Sequence, residues 1–232
     1  SRASQASIAR YHQIEADSGL RFFHQTGTVM AGAENSPYIM RLRAVQQQGN
    51  LPCEVLQGPD LAARFPFFRF DPGTLALHET QGAGHINPRV LVRAQMRIAE
   101  QAGARILPDT VLGIEETSTG LRIRTDQGDV PANQALVAAG GFANMILPEP
   151  LPLTVYARTV VLLELDAAEA ARLAAMPSLI WLEPDGNDPY LLPPILYPDG
   201  RVYLKMGGDT VDVILRDTQD IKDWFRSGGN PA

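Results

Sequence analysis

TDQGDVPANQALVAAGGFAN, residues 125–144, reads as a hairpin turn feeding a buried strand that stops on a glycine pair. Leu136, Val137, Ala138 and Ala139 form an apolar run with no polar alternation, the pattern of a strand covered on both faces in the core of an α/β sheet. Gly140 and Gly141 carry no Cβ, so they would let a ligand or a helix approach the main chain closely. A strand ending in a tight turn explains the same two glycines without any ligand.

Working outward, the strongest helix is Asn87 to Ala102. Asn87 stands as cap, Pro88 in the first turn, and Val90, Leu91, Ala94, Ile98 and Ala102 make one apolar face that Gly103 ends. Ala104 to Leu107, Val111 to Glu116, Leu121 to Arg124 and Gln134 to Ala139 read as strands, which predicts a mostly parallel sheet carrying a β-meander. Upstream, helices are expected over Ser4 to Asp17, from Pro37 behind an Asn35 or Ser36 cap to Gly49, and from Gly58 to before Pro66. Short strands are expected at Phe22–Phe23 and Thr28–Met30, and an extended segment at Leu51 to Leu56. Beyond the proline-rich hinge at Leu147 to Pro152, Tyr156 to Leu165, Leu179 to Glu183, Tyr190 to Leu196 and Val202 to Met206 form an antiparallel series, interrupted by a helix at Asp166 to Ala175.

Composition narrows the function classes. The chain has 232 residues, 45% hydrophobic and 20% charged, enough for one sizeable core or two small ones. A net charge of -6 and no block of Lys or Arg argue against a nucleic-acid or anionic-membrane surface. Cys53 alone cannot form an internal disulfide, which makes a reducing cytoplasm the expected compartment. The four histidines lack ligand spacing for a structural metal, and no apolar run reaches the roughly 18 residues of a membrane span. Ser36, Ser178 and Cys53 have no nucleophile-elbow context. The segment Gly82-Ala-Gly84-His-Ile-Asn87 is not a dinucleotide fingerprint, since Asn87 stands where a third glycine would be; it reads as a turn and a helix cap, with His85 tied to a neighbouring loop.

An ordered series of motifs carries a resemblance. Gly84-His-Ile-Asn-Pro-Arg-Val-Leu-Val92, Glu100-Gln-Ala-Gly-Ala104, Val111 with Ile114, Thr125-x-x-Gly128, Val137-Ala-Ala-Gly140, Tyr156-Ala-Arg-Thr-Val-Val-Leu-Leu-Glu164, Pro189-Tyr-Leu-Leu-Pro193 and Val202-Tyr-Leu-Lys205-Met-Gly207 span most of the chain. In this order they resemble the D-amino-acid oxidase superfamily of flavoproteins, and most of all its monomeric sarcosine oxidase branch.

The resemblance implies FAD as cofactor and a small amine or amino acid as substrate, oxidised at its C–N bond, with oxygen or another electron acceptor taking the electrons. It implies an α/β, mixed α+β fold in which residues 1–19 and 82–150 belong to an FAD-binding domain and residues 20–81 and 151–232 to an antiparallel-sheet substrate domain. Val111 would lie against the adenosine part, and Ala139, Gly140 and Gly141 against the flavin. Lys205 would lie over the flavin ring as the group that promotes its reaction with oxygen; a lysine on the polar side of a period-two strand fits the same pattern without any such role. Asp209 replaces a histidine of that branch, a departure that bears on the substrate. The phosphate-binding G-x-G-x-x-G turn and a later glycine-rich flavin segment have no match here, so the chain reads as an interior segment that alone would bind FAD poorly. A non-catalytic remnant that keeps the fold and not the cofactor is the competing expectation.

Overall fold

A computed structural model describes residues 2–49, 52–208 and 213–227. Its architecture is mixed α+β, in two units: residues 1–104 with 160–210, and residues 105–159 with 211–232.

The first unit is organised by a seven-stranded sheet. In chain order its strands are β2 (Thr28–Ala33), β3 (Glu54–Gln57), β4 (Thr74–Glu79), β10 (Val160–Leu165), β11 (Ser178–Trp181), β12 (Tyr190–Leu196) and β13 (Val202–Gly207). In space the order is β10-β13-β12-β11-β2-β4-β3. All neighbours are antiparallel except β11 and β2. The strands beyond the proline-rich hinge thus pair antiparallel as expected, through hairpins and return loops. The mostly parallel sheet expected over Ala104 to Ala139 is corrected: the described strands there form an antiparallel meander alone.

Two clusters bury the two faces of this sheet at the β2-β4-β3 end. On one face lie Leu75, Leu77 and Leu182 with Ile39 of helix α2 (Pro37–Gln47). On the other, Val29, Ala31 and Ala76 pack against Leu61 and Phe65 from helix α3 (Gly58–Arg64) and its exit. Strand β4 is buried along nearly its whole length and passes unrecognised in the sequence, because its apolar run is only Leu75-Ala76-Leu77 and its partners come from distant segments. Local chemistry fixes the helices as expected. The Ser36 hydroxyl accepts from the Ile39 N–H at 3.2 Å, and Asn87 does the same for Val90 at 3.2 Å.

A third cluster joins helix α1 (Arg2–Ser18) to helix α4 (Pro88–Gln101) through Ile14, Phe22, Phe23 and Ala94, with Val90, Leu91 and Ile98 of the predicted apolar face. Its seam is locked by Glu15, whose carboxylate accepts from the N–H groups of Phe22 at 2.7 Å and Phe23 at 2.8 Å. Burial would raise the pKa of this carboxyl; the two N–H donors, with His12 and Arg21 nearby, overcome that and hold it below the usual carboxylate range. Next to this seam, β1 (Phe23–His24) pairs with β5 (His85–Ile86), setting His24 opposite His85. The two rings stack at 5.0 Å, and His85 Nδ1 lies 3.4 Å from Thr26 Oγ1.

His85 therefore gives the fold a pH dependence. Burial, and then the neighbouring His24, lower its pKa to about 4. Between its usual 6.5 and about 4 the unfolded chain binds the proton and the folded chain does not, so stability falls as pH drops through that window and is fully present above it. Replacing His85 with phenylalanine is expected to flatten the urea midpoint between pH 6.5 and 4, the window set by the shift itself. An unchanged slope would remove His85 as its source.

The second unit contains the predicted meander, β6 (Val111–Thr117), β7 (Gly120–Thr125) and β8 (Gly128–Ala132), all antiparallel. It also holds a 3-10 turn at Gly140–Met145, a pair between β9 (Val155–Ala157) and β14 (Val213–Leu215), and a helix at Thr218–Ser227. Three strand expectations are corrected here. Ala104 to Leu107 and Gln134 to Ala139 form no strand among the described residues, with Leu136 93% exposed. A buried strand needs hydrogen-bonded neighbours on its edges, and none of the described strands supplies them. The single strand expected at Tyr156 to Leu165 is two, β9 and β10, in different sheets and different units, with the break at Arg158-Thr159.

Candidate active site

The register of the seven-stranded sheet decides where Lys205 stands. One transverse row runs Val160, Gly207, Tyr190, Ile180, Met30, Leu77, Val55 across all seven strands. Lys205 is two residues from Gly207 on β13 and so belongs to the same face, flanked by Leu162 on β10 and Leu192 on β12. At the β2-β4-β3 end this face is covered by α2 through Ile39 and Leu42. At the other end Lys205 and Tyr190 are half-buried, while Val160 and Leu162 remain 41% and 39% exposed. Lys205 thus rises from an apolar platform, unlike a lysine on an all-polar outer face. Its Nζ lies 5.9 Å from the centroid of the Tyr190 ring, inside cation–π range.

The basic composition sharpens this position. Lys205 and Lys222 are the only lysines among 20 basic residues; every other one is arginine. In a chain that uses arginine almost everywhere for its surface charge, a half-buried lysine on an apolar sheet face stands apart from the other basic residues. That signal was present in the sequence and is independent of any motif.

The remaining predicted residues lie in the second unit. Val111 opens β6 opposite Thr125, 39% exposed, next to an irregularity in the β6–β7 ladder. Ala139 precedes the 3-10 turn that begins at Gly140. The two glycines differ in kind. Gly140 has φ +55, and a Cβ built there meets nothing within 4 Å; a Cβ on Gly141 would stand 3.3 and 3.4 Å from the methyls of Val155. The first glycine is thus bare backbone facing open space, and the second is packed against its own unit. Gly140 is exposed backbone at the end of the unpaired Leu136–Ala139 segment. Asp209 lies outside the described residues.

Other nucleophile and metal readings gain nothing from the geometry. Burial, then Glu79, raises the Cys53 thiol, so it is not a standing thiolate. Among the described residues no group of three or more His, Cys, Asp or Glu is arranged to hold a metal ion, and no helix is long and apolar enough to cross a membrane.

The chain belongs to the DAO family of FAD dependent oxidoreductases, whose model matches residues 1–230. It is similar to the N-methyl-L-tryptophan oxidases of Yersinia pestis and Yersinia pseudotuberculosis, 28% identical over 147 residues, which is 63% of this chain and 39% of those proteins. The chain therefore spans about two fifths of the length of these relatives. In fold it is similar to NikD, an unusual amino acid oxidase essential for nikkomycin biosynthesis (TM-score 0.67, 19% identity, 97% of this chain and 62% of that one). L-proline dehydrogenase from P. horikoshii is similar to the same degree (TM-score 0.69, 15% identity, 97% and 61%).

Proposed function

We propose that the protein containing this chain oxidises the C–N bond of a small amine or amino acid with bound FAD. The observation that carries the reading is Lys205, one lysine on an apolar sheet face in a chain that otherwise relies on arginine. FAD supplies the two-electron acceptor when bound. The substrate gives up a hydride and a proton and leaves as the imine. Oxygen, or another acceptor, then takes two electrons and two protons; with oxygen the product is hydrogen peroxide. Lys205 holds a fixed positive charge where oxygen becomes negative on receiving its first electron, and Val111, Ala139, Gly140 and Gly141 provide the backbone surface for the cofactor.

The domain assignment follows the same reading: residues 1–19 and 82–150 serve FAD, and residues 20–81 and 151–232 serve the substrate. Two features support it. α1 packs on α4, and the seven-stranded sheet draws its strands from Thr28–Glu79 and Val160–Gly207 only. A reducing cytoplasm suits the half-buried free thiol of Cys53. The deciding experiment is a visible spectrum of the protein expressed from its full reading frame with FAD, followed by anaerobic addition of N-methyl amino acids, glycine and proline. Flavin absorption that bleaches with one of them is expected. A protein that stays colourless after reconstitution would instead fit a fold retained without its cofactor.

Gly140 gives a sharper check on the cofactor surface. With φ +55, valine there costs about 1–3 kcal/mol in backbone strain. Asparagine tolerates that conformation and only adds a side chain in the open space. Gly140→Asn is therefore expected to keep the thermal midpoint and lose FAD, and Gly140→Val to lose both. Full flavin content in the Gly140→Asn variant would return the glycine to a simple turn.

A further inference from the structure

Gly207 is a glycine without a conformational reason. Its backbone is ordinary strand, outside the positive-φ glycines, and it sits mid-sheet between β10 and β12, where glycine is a poor strand residue. The reason is space. A Cβ on Gly207 would stand 2.6 Å from both Cζ and Oη of Tyr190 and 2.7 Å from Cε1. The phenol ring of the residue directly opposite therefore lies across the bare glycine backbone. The same ring has the Lys205 ammonium 5.9 Å from its centroid.

We propose that Gly207 is a positioning residue: its missing side chain is the seat of the Tyr190 ring, and that ring holds the Lys205 ammonium in one place on the sheet face. The inference rests on the reading of Lys205 as the charge that assists oxygen. A lysine stem is long and flexible, and its ammonium otherwise samples many places above the sheet. Preorganised charge is effective only when it need not be brought into place during the reaction. The ring supplies that constraint through its electron-rich face, without a carboxylate whose negative charge would cancel the ammonium. The lysine is neither consumed nor deprotonated: reduced flavin gives two electrons and two protons to oxygen, which leaves as hydrogen peroxide. A ring that merely covers a glycine to strengthen the sheet is the competing explanation, and it makes no demand on Lys205.

The test reads Lys205 directly. Reductive methylation with 13C-formaldehyde labels amines and keeps their charge, and the signal that disappears in Lys205→Arg is assigned to Lys205. That signal is expected upfield, under the ring current of Tyr190. It should move to the free dimethyl-lysine position in Gly207→Ala, where the ring must swing away, and in Tyr190→Leu, and stay in Tyr190→Phe. In the FAD-loaded protein, reoxidation by oxygen should slow by about 10- to 100-fold in Gly207→Ala and Tyr190→Leu, as for a displaced catalytic group, and hold its rate in Tyr190→Phe. Should Gly207→Ala fail to fold, Tyr190→Leu still removes the ring with the strand intact. A Lys205 signal unmoved in both variants overturns the seat. A signal that moves while Lys205→Met and Gly207→Ala both reoxidise at the parent rate leaves the seat standing and instead sinks the oxygen reading of Lys205.

Discussion

Gly84→Ala is expected to destabilise the fold by about 3–4 kcal/mol, a loss at the upper end for a single substitution. Gly84 has φ +151, and its missing Cβ would overlap the carbonyl oxygen of His24, reach 2.8 Å from the Thr26 nitrogen and 3.0 Å from Gln25 Cα. These are backbone atoms of the turn between β1 and β2, so no rotamer change relieves the overlap. Neighbouring hydrogen bonds tie the same turn down: the Gly27 N–H donates to the Ala83 carbonyl at 3.1 Å, and the Ser178 N–H to the Gly27 carbonyl at 3.1 Å. Displacing the turn therefore strains the starts of β2 and β11 as well as the β1–β5 pair. Gly128→Ala is the matched control, since Gly128 has φ +133 with nothing within 4 Å of its Cβ position. It should show backbone strain alone, about 1–3 kcal/mol. Urea midpoints of the two variants measure the difference; equal losses would mean that the His24–Thr26 backbone yields freely.

Much of this fold is legible in the sequence where the signal is local. Asn87-Pro88 followed by an apolar face at helical spacing gives α4 to within a residue, and Ser36-Pro37 gives the start of α2. What failed depends on partners far away in the chain. Leu136-Val-Ala-Ala has the composition of a buried strand, yet burial comes from neighbouring strands and layers, and those among the described residues lie elsewhere. Thr74–Glu79 has the reverse history: a short apolar run between polar flanks becomes the interior strand because β2 and β3 close on both its edges.

The candidate site divides in the same way. Lys205 and the glycine pair stand out as residues, but the period-two pattern of β13 does not say which face is functional. Only the pairing across β10, β12 and β11 sets Lys205 in a row system of Leu162, Leu192, Tyr190 and Ile180. Tyr190 went unnoticed as a partner because fourteen residues of sequence, including a turn at Pro198-Asp-Gly200, separate it from the lysine it faces.

Lys205→Met in the FAD-loaded protein should slow reoxidation by oxygen about 100- to 1000-fold, the effect of removing a preorganised charge worth about 2.7–4 kcal/mol in the transition state. Methionine keeps the unbranched stem and packs against Leu162 and Leu192, so the sheet should fold as before. Anaerobic reduction by substrate should change much less, since no negative charge develops on oxygen in that half-reaction. Stopped-flow measurement of the two half-reactions separates the roles. A defect confined to reoxidation makes the lysine an oxygen-activating group. Equal defects in both would place it against the substrate, whose binding or orientation it would then serve. An unchanged oxygen rate would make a dehydrogenase with another acceptor the better description, and the scarcity of lysine would then need a different cause. Lysine to arginine distinguishes charge from shape: the guanidinium keeps the charge but spreads it over a plane too wide for the seat beside Tyr190. Partial recovery in Lys205→Arg, well short of the parent rate, is the outcome expected if the compactness of the ammonium is what this arginine-rich chain has kept.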